Sequence, residues 1–416
     1  MRKTVFAFIG CGGMAGAHRD SLIKLWQAGG QNFDIAACCD LVRERAERFA
    51  DIFAGILGHK PRVYDNAEVM LRDEKDLDSV AIFTPHIDHH TSAIMALEAG
   101  FNVMTEKPVG FTMRAATLMM DKAKETGKLL HVLENYRLDP AERAIHWAVQ
   151  SGMIGQPRML LWMDIGERKW YWDWRDHKDI AAGAWTFDGG VHHSDLFQYN
   201  LGDIRKVSAV MATYDNTRYA KYKNMDDYEQ AVLEKRYAYF RKTRSLKTVD
   251  PATFEQPVEA TVEDTTSAIL EFENGVIGTW VVSRAAPGKV DRSNVIYGSE
   301  GSMYWGEGVY NNRQELALPL DELKKQFRAQ LTDEEQQIYF PYGVTDSLAI
   351  EWQQHFNAVQ GIRPVEVTAM VGYKAMAIPM AIYESATIGG PVLVQDIMNL
   401  KVEAYQAPLN KIAGIS

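Results

Sequence analysis

The stretch that decides the fold stands near the start of the chain and reads Val5-Phe6-Ala7-Phe8-Ile9-Gly10-Cys11-Gly12-Gly13-Met14-Ala15-Gly16. Its first five residues are apolar and predict a short buried strand that ends at the glycines, and an amphipathic helix is predicted over 17–28. Gly10, Gly12 and Ala15 fit the pattern G-x-G-x-x-G/A at this junction. Glycines there let the backbone approach a pyrophosphate, which the N–H groups of the helix N-terminus bind. The stretch therefore predicts a dinucleotide-binding loop.

A carboxylate at the end of the second predicted strand indicates which dinucleotide is bound. Asp40 follows the strand 34–39, where a carboxylate can accept hydrogen bonds from both ribose hydroxyls of the adenosine. It would repel the 2′-phosphate of NADP, whereas Arg43 and Arg45 could accommodate that phosphate. We therefore predict NAD rather than NADP as the cofactor. The structural alternative for Asp40 is an N-cap of the following helix.

The order of predicted elements divides the chain in two. Strands and helices alternate through the first 135 residues, which predicts an α/β, doubly wound parallel sheet. After Asp139-Pro140 come one helix and then strands without intervening helices, which predicts an α+β domain with an open, mostly antiparallel sheet. We expect a Rossmann-type domain over 1–138 and a substrate-binding and oligomerisation domain over 139–416, whose C-terminal segment can pack back on the first. The predicted strands are 5–9, 34–39, 78–83, 101–105, 129–133, 158–165, 207–214, 265–272, 276–283, 293–298 and 302–305, and the predicted helices are 17–28, 43–53, 91–99, 140–150, 347–360 and 367–388.

Composition and charge exclude several classes of protein. The 416 residues are 46% hydrophobic and 24% charged, as in soluble globular proteins, and 45 basic against 55 acidic residues give a net charge of −10. Nucleic-acid binding would need a basic domain or stripe, and we interpret the one basic stretch, Lys235 to Lys247, as a solvated helix face. No apolar run is long enough to span a membrane. Neither a nucleic acid nor a membrane is therefore an expected partner.

The cysteines indicate a reducing compartment. Cys11, Cys38 and Cys39 are too few for a disulfide framework and lack the spacing of a zinc site. The apolar run 5–9 is too short for a signal peptide. We therefore expect a cytoplasmic protein.

A lysine follows another predicted strand of the parallel sheet. Lys107 stands in Thr105-Glu106-Lys107-Pro108, just beyond the strand 101–105, and Thr84-Pro85-His86-Ile87-Asp88-His89 follows the strand 78–83. Ligands of open α/β sheets bind at the carboxyl ends of the strands. A lysine at this edge can hold a substrate oxygen by charge and hydrogen bonding, although most lysines after a strand are simply exposed.

Together these segments resemble the Gfo/Idh/MocA family, named after glucose–fructose oxidoreductase, inositol dehydrogenase and their relatives. Asn135-Tyr136-Arg137 with Pro140 resembles the family's N-x-R-x-x-P join between domains. The segment 188–195 fits its D-x-G-x-H-x-x-D pattern, and 297–302 resembles its G-x-x-G-x turn. The resemblance covers nearly the whole chain. Two segments look unlike the family: about 215–258 and 306–346.

The resemblance implies catalysis by Lys107, Asp188 and His192. Histidine exchanges protons near neutral pH, so His192 would take the proton of a substrate hydroxyl as hydride leaves for the nicotinamide. Lys107 would stabilise the developing carbonyl oxygen. Asp188 would orient the cations and bond a substrate hydroxyl; four residues separate it from His192, which puts both on one face if the segment is helical. The alternatives are a satisfied helix histidine and a metal site with His193 and Asp195.

The expected binding residues follow from these motifs and from the family's pattern, which needs no metal. For the cofactor they are Gly10, Gly12, Gly13, Met14, Ala15, Asp40, Arg43, Thr84, Pro85, His86, His89, Glu106, Lys107 and Asn135. For the substrate they are Lys107, Tyr136, Arg137, Trp172, Trp174, Arg175, His177, Trp185, Asp188 and His192.

Half of the ten tryptophans fall within 162–185. Aromatic rings mixed with Arg, Asp and His suit a sugar site, where ring faces stack and hydroxyls are hydrogen-bonded. If the segment is extended, the alternation of Trp170, Trp172 and Trp174 puts three rings on one side. The alternative is packing beneath a loop or at a subunit interface.

These features favour an NAD-dependent dehydrogenase that oxidises a secondary hydroxyl of a small-molecule carbohydrate: a sugar, glycoside or cyclitol. An NAD-using glycoside hydrolase, which oxidises a ring hydroxyl transiently and eliminates the aglycone, is the alternative, and a non-catalytic ligand sensor is a third. We also expect a homo-oligomer, a dimer or tetramer, because an open sheet leaves one apolar face uncovered. The candidate side chains on that sheet are Val276, Ile277, Trp280 and Val282.

Overall fold

The structure is a computed structural model that describes residues 2–218 and 258–415. The basic stretch Lys235 to Lys247, and most of the segment 215–258, lie outside the described residues. The first half of the chain forms a six-stranded parallel sheet in the order β3-β2-β1-β4-β5-β6. Its strands are β1 (Thr4–Ile9), β2 (Phe33–Cys39), β3 (Arg62–Tyr64), β4 (Ser79–Ile82), β5 (Asn102–Glu106) and β6 (Leu130–Leu133), and its helices are α1 (Gly13–Gln27), α2 (Arg43–Leu57), α3 (Ala67–Asp73), α4 (His89–Glu98) and α5 (Met113–Thr126).

Alternation along the strands explains how this sheet is covered on both faces. Phe6 and Phe8 point into one core cluster, whereas Ala7 and Ile9 point into the other. A late helix, α12 (Ser347–Val359), completes the first of these clusters, since Trp352 lies with its ring centroid 4.8 Å from that of Phe6. A segment from the second half of the chain therefore supports the parallel sheet.

The second half forms a nine-stranded, mostly antiparallel sheet in the order β16-β15-β14-β13-β7-β12-β11-β8-β17, in which β7 and β12 pair in parallel. Together the two sheets confirm the predicted fold class. The strands from this half are β7 (Pro157–Ile165), β8 (Ile204–Ala212), β9 (Thr217–Arg218), β10 (Val258–Glu259), β11 (Thr265–Phe272), β12 (Ile277–Ser283), β13 (Asn294–Gly298), β14 (Gly301–Tyr304), β15 (Gly308–Asn311), β16 (Leu316–Pro319) and β17 (Val392–Leu393). The helices are α6 (Pro140–Gln150), α7 (Lys178–Ala181), α8 (Trp185–Asp188), α9 (Gly190–Leu201), α10 (Leu320–Gln330), α11 (Asp333–Tyr339), α13 (Ala369–Ile388), α14 (Val394–Met398) and α15 (Gln406–Ile412), besides α12.

Two expectations about this half are wrong. The strands do not follow one another without helices, because α7, α8 and α9 stand between β7 and β8. Most of the side chains expected on the uncovered face lie on the other one. Val276, Trp280 and Val282 are each at most 3% exposed, and Trp280 packs edge-on against Phe197 of α9 with ring centroids 5.3 Å apart.

The uncovered face of the sheet carries a different set of apolar residues. Ile277 is 56% exposed, as expected for this face, and Val210 and Ile269 are 70% and 44% exposed on neighbouring strands. Period-two alternation explains why a different set of side chains is exposed, because a shift of one residue moves a side chain to the opposite face.

None of the helices in 2–218 and 258–415 combines the length and apolarity that a membrane crossing requires.

Candidate active site

The glycine loop has the geometry that its sequence predicts. Gly10 has φ of +91°, and a Cβ atom added there would lie 2.6 Å from the carbonyl oxygen of Phe83. Only glycine fits such a position. Gly12 occupies the N-cap of α1 and no side chain caps that helix. The first N–H groups of α1 therefore remain available to an anionic ligand.

Asp40 ties the loop to the end of β2. Its Oδ2 accepts a hydrogen bond of 2.8 Å from the Cys11 N–H, and its Oδ1 accepts one of 2.9 Å from the Val42 N–H. Val42, rather than Asp40, is the N-cap of α2, so the N-cap alternative for Asp40 is wrong. A carboxylate has about four lone-pair sites, so the group can still accept hydrogen bonds from ribose hydroxyls.

Both of these features open into one cleft of about 920 Å³ that runs from the glycine loop to the aromatic segment. Eleven of the fourteen predicted cofactor residues line it: Gly10, Gly12, Gly13, Met14, Asp40, Thr84, Pro85, His86, His89, Glu106 and Lys107. Four of the predicted substrate residues also line it: Lys107, Trp172, Trp174 and Arg175. The cleft is therefore large enough and suitably lined for a dinucleotide beside a smaller ligand.

Three predicted cofactor residues lie elsewhere. Ala15 is fully buried in the core beneath the loop, and Asn135 donates to the Ser347 hydroxyl at 2.9 Å. Arg43 forms an exposed helical ion pair with Glu47. Arg45 lines the cleft instead, with its guanidinium 3.8 Å from where a Cβ of Gly12 would lie. Their positions on α2 explain why Arg45 and not Arg43 faces the cleft, because residues two apart on a helix point to different sides.

Lys107 and Asp188 meet at the far end of the cleft. The Lys107 ammonium donates to the Asp188 backbone carbonyl at 2.8 Å and to its Oδ1 at 3.2 Å. Arg175 reaches the other carboxylate oxygen, with its Nε 3.3 Å from Oδ2. The Asp188 side chain is nearly fully buried, and burial alone would raise its pKa. The cations Lys107 and Arg175, with His86, outweigh burial and hold the pKa of Asp188 well below its usual range. The carboxylate is therefore ionised at neutral pH.

His86 is held on both sides. Its Nδ1 lies 2.8 Å from the Ala181 carbonyl oxygen, and its Nε2 lies 3.1 Å from Asp188 Oδ1. Two acceptors favour the charged ring, but burial disfavours it more strongly, and the pKa of His86 is lowered. Since both ring nitrogens are engaged, His86 contributes structure at this end of the cleft.

His192 is bonded to a residue that the sequence analysis missed. Its Nδ1 lies 2.6 Å from Oε2 of Glu134, and its ring stacks on Tyr136 with centroids 4.0 Å apart and planes within 4°. It makes no hydrogen bond with Asp188 among the described residues, because Gly189 separates α8 from α9 and the two are not on one continuous helix face. Glu134 follows β6 as Lys107 follows β5, and that strand-end position is the signal that could have found it.

Arg137 does not reach the cleft. Its guanidinium forms a buried double hydrogen bond with Asp195 and packs over the Tyr199 ring. The same contacts commit Asp195, the last residue of the predicted motif, to structure. No group of three or more His, Cys, Asp or Glu side chains in 2–218 and 258–415 is arranged to hold a metal ion.

The aromatic segment is not extended, so the expected alternation of three tryptophans on one side is wrong. Asp173 has φ of +58°, and a 3-10 turn covers Asp173–Asp176. This turn is held by Arg168, whose guanidinium pairs with Asp176. His177 is buried, with Nε2 2.8 Å from the Tyr171 hydroxyl oxygen, and does not line the cleft.

The faces of the tryptophans near the cleft are covered by arginines. The Arg175 guanidinium lies 4.2 Å from the centroid of the Trp174 ring and 5.1 Å from that of Trp172. The ring centroids of Trp172 and Trp185 are 5.5 Å apart, and the Arg284 guanidinium lies 4.4 Å from the Trp185 ring centroid. Of these two cations Arg175 lines the cleft, so the rings of Trp172 and Trp174 support a guanidinium whose N–H groups can bond a ligand there.

The chain combines a parallel sheet of the kind that binds nucleotides with a second, open-sheet domain. Two family models match: "Oxidoreductase family, NAD-binding Rossmann fold" over residues 5–134 and "GFO/IDH/MocA C-terminal domain" over residues 143–304. The chain belongs to the Gfo/Idh/MocA family of oxidoreductases.

Curated relatives are distant. Levoglucosan dehydrogenase of Pseudarthrobacter phenanthrenivorans is 28% identical over 76% of this chain and 79% of its own length. D-glucoside 3-dehydrogenase of Escherichia coli is 25% identical over 92% of this chain and 95% of its own length. A glycosyl hydrolase family 109 protein of Shewanella baltica is 27% identical over 47% of this chain and 42% of its own length.

Solved structures share the fold. Levoglucosan dehydrogenase in complex with NADH superposes with a TM-score of 0.69 at 21% identity, over 94% of this chain and 99% of that one. The WlbA dehydrogenase of Bordetella pertussis, in complex with NADH and UDP-GlcNAcA, superposes with a TM-score of 0.67 at 19% identity, over 94% of this chain and 99% of that one.

Proposed function

We propose that this protein is an NAD-dependent dehydrogenase that oxidises a secondary hydroxyl of a sugar, glycoside or cyclitol. One observation carries the proposal. A single cleft joins the glycine loop to Lys107, which is bonded to the ionised Asp188, while His192 stands on the helix that follows Asp188. This arrangement supports a nucleotide site next to side chains that can bind the substrate oxygen and accept its proton.

The cleft's nucleotide end fits NAD. The backbone of Gly10, Gly12 and Gly13 and the open end of α1 would hold the pyrophosphate, and Asp40 would accept from the adenosine ribose. Bound there, NAD supplies the hydride acceptor for the carbon that carries the hydroxyl.

The chain's own residues handle the substrate oxygen and its proton. His192 takes the hydroxyl proton at its Nε2, and Lys107 stabilises the oxygen as it becomes a carbonyl. Asp188 holds the Lys107 ammonium in place and offers an acceptor to a second hydroxyl, and Arg175, which donates to the other oxygen of the same carboxylate, offers that hydroxyl its N–H groups.

The substrate class rests on two supports. Two relatives, by name, act on levoglucosan and on a D-glucoside. Near the cleft, Trp172, Trp174 and Arg175 combine apolar rings with charged donors, as hydroxyl-rich ligands require. The test is a panel of sugars, cyclitols and glycosides, incubated with NAD or NADP and followed by the absorbance of the reduced cofactor. Turnover of at least one compound with NAD supports the proposal, and a panel with no turnover contradicts it.

The glycosyl hydrolase relative makes transient oxidation a second candidate. In that case the protein would release the aglycone from glycosides of the same panel without net formation of NADH. Chromatography of the reaction products therefore separates the two activities, because a dehydrogenase yields a ketose or keto-glycoside and reduced cofactor in equal amounts.

We also propose that the protein is a homo-oligomer through the uncovered face of the nine-stranded sheet. Exposed Val210, Ile269 and Ile277 there form an apolar surface without a helix over it among the described residues. Light scattering at micromolar concentration should give at least twice the mass of one chain. A single-chain mass would contradict the proposal.

A further inference from the structure

One buried carboxylate contacts the reactive histidine and belongs to no predicted motif. Glu134 follows directly after β6 and is 1% exposed. Its Oε2 lies 2.6 Å from His192 Nδ1, a short distance even for a hydrogen bond to a charged group. A carboxylate in this position is removed from water, so its placement costs free energy unless a partner compensates it.

This contact selects one tautomer of the neutral imidazole. An ionised carboxylate can only accept a hydrogen bond, so Nδ1 must carry the hydrogen. Nε2 then holds the lone pair. No hydrogen-bond partner for Nε2 is present among the described residues, and His192 is 6% exposed. The ring is thus prepared to receive a proton at one atom only.

The plane of the ring is fixed as well. Tyr136 covers one face of His192 in parallel stacking and is itself 40% exposed at the margin of the site. Rotation of the imidazole would lose both the stacking and the bond to Glu134. Two neighbours therefore fix the direction in which the Nε2 lone pair points.

We propose that Glu134 is a positioning residue that fixes the tautomer and orientation of His192 and stabilises its protonated form during the reaction. The proposal rests on the proposed dehydrogenase function. In the step that it serves, the substrate O–H bond breaks and the proton bonds to Nε2. The C–H bonding pair leaves as hydride and reduces NAD to NADH, and the carbon–oxygen bond becomes a carbonyl. The positive charge left on the imidazolium then faces the Glu134 carboxylate.

Several other charged groups surround this pair, and none of them replaces Glu134. Arg137 is already paired with Asp195, and Glu106 accepts from His18 at 2.9 Å. Glu351 on α12 is fully buried, and burial together with nearby carboxylates raises its pKa well above the usual range, which favours its uncharged form. The groups that face the pair from neighbouring elements are Glu106 at the end of β5, Lys107 directly after it, Tyr136 after β6, His193 and Asp195 on α9, and Glu351 on α12.

The first test needs no substrate. Histidine labelled with ¹⁵N, with His192 assigned by comparison with His192→Asn, reports which ring nitrogen carries the hydrogen. We expect a protonated Nδ1 and an unprotonated Nε2 above neutral pH. A His192 signal from the opposite tautomer would overturn the proposal, whether or not any sugar is oxidised. A failed substrate panel with the expected tautomer would instead contradict only the proposed function.

The second test compares Glu134→Gln with Glu351→Gln as a matched control. An amide can donate or accept, so Glu134→Gln should mix the tautomers and lower kcat at least about 10-fold, within the share that acid–base catalysis supplies. The acid limb of its pH–rate profile should move to lower pH, because a carboxylate favours the protonated imidazole. KM for NAD should stay unchanged.

Glu351→Gln replaces a neutral acid by a neutral amide in the same buried region and should change neither the tautomer nor kcat beyond about twofold. If Glu134→Gln keeps wild-type kcat and pH profile, Glu134 is only structural. If that variant does not fold, the tautomer of the wild-type protein still decides.

Discussion

The two ends of the cleft are built from different kinds of contact. At the nucleotide end, the loop that follows β1 lies against the ends of β2 and β4, and backbone N–H and carbonyl groups do most of the bonding. At the other end, beside Lys107, side chains join positions far apart in sequence, and we call this the reactive end. Lys107 and Asp188 are 81 residues apart, and Glu134 and His192, which stand behind the lining of the cleft, are 58 apart. The first end is therefore set by local conformation, and the second by how the two halves of the chain pack.

This difference implies that substitutions at the two ends act on different steps. We expect changes at the nucleotide end to alter cofactor affinity or preference, since the backbone there shapes the cleft. We expect changes at the reactive end to alter turnover or substrate affinity and to leave cofactor binding unchanged. Three experiments test this separation, and a fourth tests the packing behind the reactive end.

The largest effect is expected for the residues that we propose act on the reacting oxygen and its proton. Lys107→Ala and His192→Ala should each lower kcat by roughly 10²–10⁴-fold, the usual share of acid–base and electrostatic groups. Steady-state kinetics on the best substrate of the panel, with NAD affinity from fluorescence titration, measures both quantities. Near-normal turnover in either variant would remove that residue from the mechanism. Weakened NAD binding in His192→Ala would show that the two ends are not separable.

At the nucleotide end, Asp40→Ala should shift the ratio of kcat/KM for NAD over NADP toward NADP by roughly 10- to 100-fold, the worth of one or two hydrogen bonds to a charged group. Repulsion of the 2′-phosphate would be lost at the same time. Arg43→Ala is the matched control, because Arg43 pairs with Glu47 outside the cleft. A wild-type enzyme that prefers NADP would contradict the role assigned to Asp40.

The same contrast explains what the sequence could predict. The glycine loop, Asp40 and Lys107 stand at strand ends, where a short local pattern determines the backbone, and their placement in the cleft agrees with that pattern. Arg43 and Arg45 both stand near Asp40 in sequence, and Arg43 was the one expected to bind the cofactor, yet helix geometry turns only Arg45 toward Gly12.

Long-range contacts account for what the sequence could not predict. Glu134 acquires its role only because α9 brings His192 to the end of β6. The turn at Asp173 depends on the ion pair between Arg168 and Asp176, and period-two alternation cannot reveal it. Arg137 has a long basic side chain near the domain join, which suggested a ligand contact, but the buried partner Asp195 captures it.

Behind the reactive end, two buried histidines should make the fold sensitive to acid. His131 on β6 and His355 on α12 are fully buried and stack with centroids 5.5 Å apart. Burial lowers the pKa of His355 to about 3, and burial with His355 nearby lowers the pKa of His131 well below its usual range. Because the folded state binds these protons more weakly than the unfolded chain, stability is fully present above about pH 6.5 and is lost as the pH falls below it.

His355 should remove about 2 kcal/mol from the free energy of unfolding between about pH 7.5 and pH 5, and His131 should lower it further. Urea unfolding at the two pH values measures this change. His355→Phe keeps an aromatic ring in the stack and removes one titrating group, so its loss of stability over the same range should be smaller. An equal loss in the variant would show that other groups dominate the acid response.

The smallest effect is expected in the aromatic segment, where the rings act through the cations that they support. Trp172 lines the cleft and holds Arg175 over its ring, and Arg175 in turn reaches Asp188 beside Lys107. Trp172→Ala and Arg175→Ala should therefore raise KM for the sugar by roughly 3- to 10-fold, which corresponds to a cation–π contact or one exposed hydrogen bond, while KM for NAD stays unchanged. Trp170→Ala is the matched control, because Trp170 belongs to the same segment but does not line the cleft.

Trp185 packs behind Trp172, so Trp185→Ala should raise KM for the sugar more than Trp170→Ala and less than Trp172→Ala. If Trp170→Ala raises KM as much as Trp172→Ala, the segment acts as one packing unit, and the reactive end does not select the sugar through these contacts.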